Sequence, residues 1–390
     1  MNLSRSEIGR GHLSRHRWRH RRVPLVIGLL LSRIVVSCVA DPHQRARVDV
    51  SQEYSGMRTA HDMSSKIAVV FSDVDGTLVH YDDDNASNLA SSEEGNQILQ
   101  LPPSATGMRG VISSRTLRQC SEIRRRGTKL VLVSGMRTTT LLNRLPFLPK
   151  ADVYCSEGGG RIFVAVRGTE YEPAVFDGAT GDDLLPFGLK EDDAWREKMS
   201  KEDAAGPDGY PSGLGLSDSD EGPPSISQRR GLLWSHARAL EARGFVLDDR
   251  GYSTCFRVNR KHQDDQHGSD AYDALAREVP PVGLATSTNL GCIDFYPEDS
   301  GKKNSCLYIA GLFCGSSDRL ASDCVCLCDD DNDIAMALAC SHAYLPALSA
   351  DSLASLTRSE PEHFTVAAKD VQKTTKATEQ VLEKILDQLH

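Results

Sequence analysis

The sequence has no internal repeat, no cysteine spacing suited to zinc and no charge-free apolar run long enough to span a membrane. Its N-terminal apolar stretch, Val23 to Ala40, covers 18 residues but is interrupted by Arg33, which weakens a reading as a membrane anchor. Outside that region positive charge is outweighed by negative. The chain carries 45 Lys and Arg against 54 Asp and Glu, a net of −9, and residues 1–40 hold eight Arg and one Glu, so the remainder carries −16. A body that acidic repels a phosphate backbone, which argues against nucleic acid as a partner. Cysteines number eleven in 390 residues, too sparse for a small disulfide scaffold. Cys324, Cys326 and Cys328 alternate along one face of an apolar strand, where they cannot bridge one another without distortion. They read as small apolar filler in a reduced compartment. His236, His262 and His267 have no ligand-like companions and read as structural or solvated.

At the N-terminus, Arg5, Arg10, Arg15, Arg17, Arg19, Arg21 and Arg22 precede the apolar run Val23 to Leu31. This basic, acid-poor leader favours import into an organelle (plastid or mitochondrion) over secretion with a cut near Cys38-Val39-Ala40, and over a signal anchor. The mature protein is then not membrane-embedded.

Among what is present, the most informative stretch is Phe71-Ser72-Asp73-Val74-Asp75-Gly76-Thr77-Leu78-Val79, in which an apolar run from Ile67 to Phe71 ends in two carboxylates one residue apart. A buried run of that kind reads as a central parallel strand, and ligands of open α/β sheets gather just beyond the carboxyl ends of such strands. Side chains two apart on an extended segment point the same way, so one carboxylate can attack phosphorus while the other serves the leaving oxygen. Gly76 lets the chain turn away and Thr77 can anchor the turn. Three further segments supply the remaining groups. Lys129 to Val133 is a second apolar strand, ending in Ser134-Gly135-Met136-Arg137, where Ser134 can hold a phosphate oxygen. Gly301-Lys302-Lys303-Asn304 follows a strand-like run, Cys292 to Tyr296, and opens a helical pattern, placing an ammonium to neutralise phosphate and nucleophile. Cys324 to Cys328 empties into Asp329-Asp330-Asp331-Asn332-Asp333. Hard oxygen ligands converging with a phosphate suit Mg²⁺.

These four segments, in this order, resemble the haloacid dehalogenase superfamily of aspartate-nucleophile phosphatases. The resemblance implies Asp73 as nucleophile, Asp75 as general acid and base, Ser134 as the hydroxyl of the second motif, Lys302 as the lysine of the third, and Asp329 with Asp333 as the acids of the fourth. It further implies a phosphate-binding set of Gly76, Thr77, Ser134, Gly135, Lys302 and Asn332. The metal is expected on the Asp73 carboxylate, the Asp75 backbone carbonyl, Asp329 and Asp333. Where the family has Gly-Asp-Gly-x-Asn-Asp, this chain has Cys328-Asp329-Asp330-Asp331-Asn332-Asp333, and the extra Asp330 is expected to project outward.

Spacing narrows the branch. Between Ser134 and Lys302 lie 167 residues, against 58 between Asp75 and Ser134, so a second domain is expected at the later point. Asp152 to Gly160 resembles the "E-N-G-G" strand end that precedes class IIB caps, the branch that includes sucrose-phosphate phosphatases and Cof-like sugar phosphatases. The expected architecture is α/β, a doubly wound parallel-sheet (Rossmann-like) core with an inserted α+β cap. Its parts are a targeting segment and linker over 1–60, core over 61–160, cap over 161–289 and core again over 290–390. Within the cap, Lys201 to Arg230 is rich in Gly, Pro, Ser and Asp without an apolar period and is expected to be disordered. The polar insertion Tyr81 to Gly107 reads as a solvated loop. In the cap strand Tyr252 to Val258, Phe256 and Val258 share one face and Arg257 the other, where it can read substrate hydroxyls or a second anion.

The expected activity is Mg²⁺-dependent hydrolysis of a small phosphorylated metabolite, a sugar phosphate, through an aspartyl phosphate. A phosphomutase and a catalytically silent metabolite-binding relative are the rival readings.

Overall fold

Ile67 to Phe71 offers no polar residue to a solvent face, so both faces of this segment must be covered. A computed structural model of the protein satisfies that requirement; it describes residues 67–81, 95–103, 107, 109–165, 189–209, 224–263, 268–289 and 291–389. The expected targeting segment, the acidic stretch 82–94 and residues 210–223 lie outside these. The strands in chain order are β1 (Val69–Ser72), β2 (His80–Tyr81), β3 (Ile98–Gln100), β4 (Gly110–Ser113), β5 (Lys129–Val133), β6 (Val153–Ser156), β7 (Arg161–Ala165) and β8 (Leu189–Glu191). They continue with β9 (Leu247–Asp248), β10 (Phe256–Asn259), β11 (Leu284–Asn289), β12 (Cys292–Pro297), β13 (Cys324–Leu327), β14 (His342–Leu345) and β15 (Phe364–Val366).

The main sheet has eight strands in the order β15-β14-β13-β1-β5-β6-β7-β8. It is parallel from β15 to β6, and β7 and β8 add to the β6 side as antiparallel strands. Side chains alternate between two cores. Val70, Leu130, Leu132 and Val325 face one side, where Leu117, Ile123, Val381 and Ile385 close over them. Val69, Phe71, Val131 and Val133 face the other, against Ile309, Ala310 and Met336. Both faces are thus sealed by helices, the doubly wound arrangement expected of strands apolar throughout. The helix Ser114–Arg125 starts where the Ser113 hydroxyl accepts the Thr116 N–H at 3.0 Å. Cys324, Cys326 and Cys328 lie in the second core, unbridged, in the filler role expected of them, and Cys155, Cys306, Cys314 and Cys340 lie there beside them.

A second sheet, antiparallel in the order β11-β12-β10-β9, stands apart from the first. Its core gathers Trp234, Leu240, Phe256, Val258, Ile293 and Phe295, with Phe256 and Phe295 stacked at 5.0 Å. Three expectations are corrected here. Cys292 to Tyr296, expected to re-enter the main sheet, is instead paired on both sides within this second sheet, because Ile293 and Phe295 complete its apolar face. Arg161 to Ala165, expected to begin the cap, pairs with β6 in the main sheet. The ends of the stretch expected to be disordered are packed: Ala205 and Ile226 are buried in the core of the second sheet, and buried Arg229 pairs with Asp249 at 3.1 Å and stacks over Trp234. Isolated anchors of this kind leave no apolar period to read.

Part of the expected solvated insertion, Tyr81 of β2 and the whole of β3, pairs with β4 beyond it in a three-stranded antiparallel sheet, β2-β4-β3. Among the described residues no helix is long and apolar enough to cross a membrane.

Candidate active site

Three neighbouring parallel strands, β13, β1 and β5, end side by side. Asp73 follows β1, Ser134 follows β5, and Asp329 follows Cys328 at the end of β13. The crevice beyond these ends is where an open α/β sheet binds its ligand. The helix Lys302–Cys314 begins over the same crevice at Gly301, and Lys302 Nζ donates to Asp73 Oδ1 at 2.7 Å and to Asp333 Oδ1 at 2.5 Å. Lys303, one residue on, is exposed. Asp73, Asp329 and Asp333 are all buried and offer ligand oxygens that lie within 4.8 Å of one another. Asp329 is held by the hydroxyls of Thr77 at 2.7 Å and Ser349 at 2.8 Å. Gly76 has φ of +89° and lies so close that a β-carbon would overlap the Asp329 carboxylate, so only glycine serves there.

Two of the three carboxylates, Asp73 and Asp333, share one ammonium. Burial lifts the Asp73 carboxyl well above its ordinary range; Lys302 pulls it back, while Asp333 and Asp329 add to the rise. Asp329 is pushed up to about 7 by burial and by Asp333. Burial also works against the Lys302 charge, but Asp333 and Asp73 outweigh it and hold the ammonium protonated. The site therefore lacks positive charge, and Asp333 Oδ2 has no hydrogen-bond partner among the described residues. Buried hard oxygens with one left over fit a divalent cation such as Mg²⁺.

A pH dependence follows. Asp329 rises from 3.8 unfolded to about 7 folded, so the folded state binds more protons than the unfolded one between those values. Stability is then present at low pH and lost as pH rises through that window. With a chelator present, the melting temperature should fall by about 3 °C or more from about pH 5 to about pH 7.5. Added Mg²⁺ should restore more at the higher pH, since it competes with protons for the same oxygens. A Mg²⁺ response equal at both pH values would contradict this assignment.

The other expected site residues divide. Gly135, Lys302 and Asn332 line a cleft together with Glu157, Gly158, Cys255, Ser287, Asp294, Tyr296 and Gly301. Ser134 is buried at the crevice, its hydroxyl accepting the Met136 N–H at 3.1 Å. Gly76 and Thr77 do not line the cleft; both are committed to Asp329. The Asp75 side chain does not join the carboxylate cluster. It accepts from Arg144 Nη1 at 3.0 Å and from the Tyr81 hydroxyl. Asp330 turns back to accept the Asp331 N–H at 2.8 Å. Arg257 is also absent from the cleft lining and pairs with Asp294 at 2.9 Å.

Several residues of the site escaped the sequence reading. Glu157 has a positive φ of 55°, uncommon for a residue with a side chain. Its Oε2 accepts Ser253 N, Thr254 N and Thr254 Oγ1, each at 2.8 Å, and its Oε1 accepts Thr138 Oγ1 at 2.7 Å. One buried carboxylate thus ties the end of β6 to the segment entering β10. The glycines after Glu157 marked the turn, but nothing local announced its partners.

No protein-family model matches the sequence, and no curated protein matches it either. Among solved structures, the chain is similar to the sucrose-phosphatase of Synechocystis in complex with sucrose and phosphate, at 13% identity and a TM-score of 0.46 over 83% of this chain and 98% of that one. It is also similar to a haloacid dehalogenase-like hydrolase of Bacillus subtilis, at 13% identity and a TM-score of 0.43 over 83% and 93%. A third is the trehalose-6-phosphate phosphatase of Aspergillus fumigatus, at 11% identity and a TM-score of 0.37 over 87% and 96%. Alignments this distant carry no argument for substrate or reaction.

Proposed function

We propose that the protein is a Mg²⁺-dependent phosphatase that hydrolyses a small phosphorylated metabolite, a sugar phosphate, through an aspartyl-phosphate intermediate. The carrying observation is the buried Lys302 ammonium joining Asp73 to Asp333 where three parallel strands end. A carboxylate placed there can attack phosphorus, while the ammonium spreads the charge that develops on the phosphoryl oxygens.

In the first half-reaction an Asp73 oxygen bonds to phosphorus, the bond from phosphorus to the substrate's ester oxygen breaks, and Asp75 delivers a proton to the departing alkoxide. In the second, Asp75 takes a proton from water, the oxygen of that water attacks phosphorus, and the bond to Asp73 breaks to release inorganic phosphate. Arg144 and Tyr81 fix the orientation of the Asp75 carboxylate. Asp73, Asp329 and Asp333 would hold Mg²⁺, which when bound supplies the positive charge that this carboxylate cluster and a phosphoryl group together require. The second sheet covers the crevice, so it excludes water and selects the organic part of the substrate.

The test is release of inorganic phosphate by the full-length protein from p-nitrophenyl phosphate and a panel of sugar phosphates, with Mg²⁺ and with a chelator. Turnover that needs Mg²⁺ supports the reading. A protein that binds sugar phosphates without releasing phosphate is a silent binder. One that needs a sugar bisphosphate activator and releases little phosphate is a mutase.

A further inference from the structure

The antiparallel sheet turns a row of polar residues in one direction. Arg257 is the cross-strand partner of both Asp248 and Asp294, and Asp294 is in turn the partner of Ser287, so these four residues share one face of the four strands. The opposite face is apolar and packs into the core of this sheet, with Phe256 beside Phe295 and Val258 beside Ile293. Asp294 and Ser287 line the same cleft as Lys302 and Asn332. Asp294 is only 8% exposed. One of its oxygens, Oδ2, accepts from Arg257 Nη2 at 2.9 Å, and the other, Oδ1, is buried without a hydrogen-bond partner among the described residues. Burial pushes the Asp294 carboxyl up, and the Arg257 guanidinium pulls it back toward the charged form.

A buried carboxylate oxygen left unpaired is costly unless something donates to it. Among the described residues lining the cleft, the only basic side chain is Lys302, which is already committed to Asp73 and Asp333, and none of the neutral donors there, Ser287, Tyr296 and Asn332, bonds Oδ1. A ligand hydroxyl can supply the missing donor. Arg257 already neutralises the Asp294 charge, so a neutral donor suffices.

We propose that Asp294 is a specificity-determining residue whose Oδ1 accepts a hydrogen bond from a hydroxyl on the organic part of a phosphomonoester, and which disfavours substrates bearing a second phosphate. The proposal rests on the phosphatase reading above. A second phosphate would set its own acceptor oxygens against Oδ1, whereas a polyol or sugar supplies the donor that is wanted. Arg257, which the sequence pointed to as a reader of substrate, is on this view a positioning residue that holds Asp294 through Oδ2.

The test compares wild type with Asp294→Asn, which keeps the volume and the bond to Arg257 but turns an amide NH₂ toward the cleft. The substrates are glucose 6-phosphate, mannose 6-phosphate, phenyl phosphate and glucose 1,6-bisphosphate. The wild-type protein should prefer at least one hexose monophosphate over both phenyl phosphate and the bisphosphate in kcat/KM. In the variant both preference ratios should fall by roughly 10-fold or more, chiefly through KM, the scale of one lost charge-assisted contact. Equal losses on every substrate would assign Asp294 to the fold, and unchanged ratios would overturn the proposal. If the single variant does not fold, Asp294→Asn combined with Arg257→Gln removes the buried pair together and reads the same ratios. Should wild type release phosphate from none of these substrates, the phosphatase reading fails. Calorimetric binding of glucose 6-phosphate against glucose 1,6-bisphosphate to both proteins then decides Asp294 alone.

Discussion

Asp73→Asn is expected to leave less than about 1% of wild-type turnover on any phosphomonoester while the protein stays folded. The amide keeps the volume of the carboxylate but cannot form the acyl phosphate. Its effect on stability should run the other way. Asp73 lies in one cluster with Asp329 and Asp333, and its carboxyl is held well above the ordinary range chiefly by burial. Removing that charge relieves both desolvation and repulsion, so the metal-free variant should melt no lower than wild type near neutral pH. Activity and melting curves measured on the same preparation separate a lost nucleophile from a damaged fold. Turnover above about 1% would falsify the assignment of Asp73 as nucleophile.

Lys302→Met should be the most damaging single change for chemistry and stability together. Lys302 Nζ is the donor to both Asp73 and Asp333, and removing it strands buried carboxylates without their cation, a loss of about 3–5 kcal/mol. For a chain of this size that corresponds to a melting temperature lower by roughly 10 °C at neutral pH. Part of it should return as pH is lowered and the carboxyls take up protons. Turnover should fall by roughly 10²- to 10³-fold even at saturating Mg²⁺, the cost of one preorganised charge at a transition state. Lys303→Met is the control. Lys303 is exposed, so its replacement should change stability by no more than about 0.5 kcal/mol. A pair of variants with equal effects would mean that the neighbouring lysine had been misassigned.

Much of the site can be read from local pattern. Apolar runs that end in Asp73, Ser134 and Asp329 could only be buried strands, because no residue within them tolerates solvent on either face. Strands of that kind, joined by helical segments, lie parallel and end on one edge. That edge brings three of the expected groups together on local pattern alone, and the helix start at Gly301 adds Lys302. The alternation of Phe256, Arg257 and Val258 likewise placed the arginine on the polar face of its strand.

What local pattern could not carry was pairing. Asp73 and Lys302 are 229 positions apart, and their contact depends on the whole sheet being assembled. Cys292 to Tyr296 has the composition of a strand for either sheet. It joins the second because β10 and β11 flank it there, and that choice puts Asp294 rather than Arg257 in the cleft. Asp75 stands beside Asp73 in the sequence, yet its carboxylate is engaged by Arg144 and Tyr81, one of which enters from a helix far along the chain. The periodicity of side chains is set by bond geometry within a few residues and is therefore written in the sequence. Which of two polar neighbours meets the ligand is set by strand register and by competing partners, and these exist only once distant segments have packed.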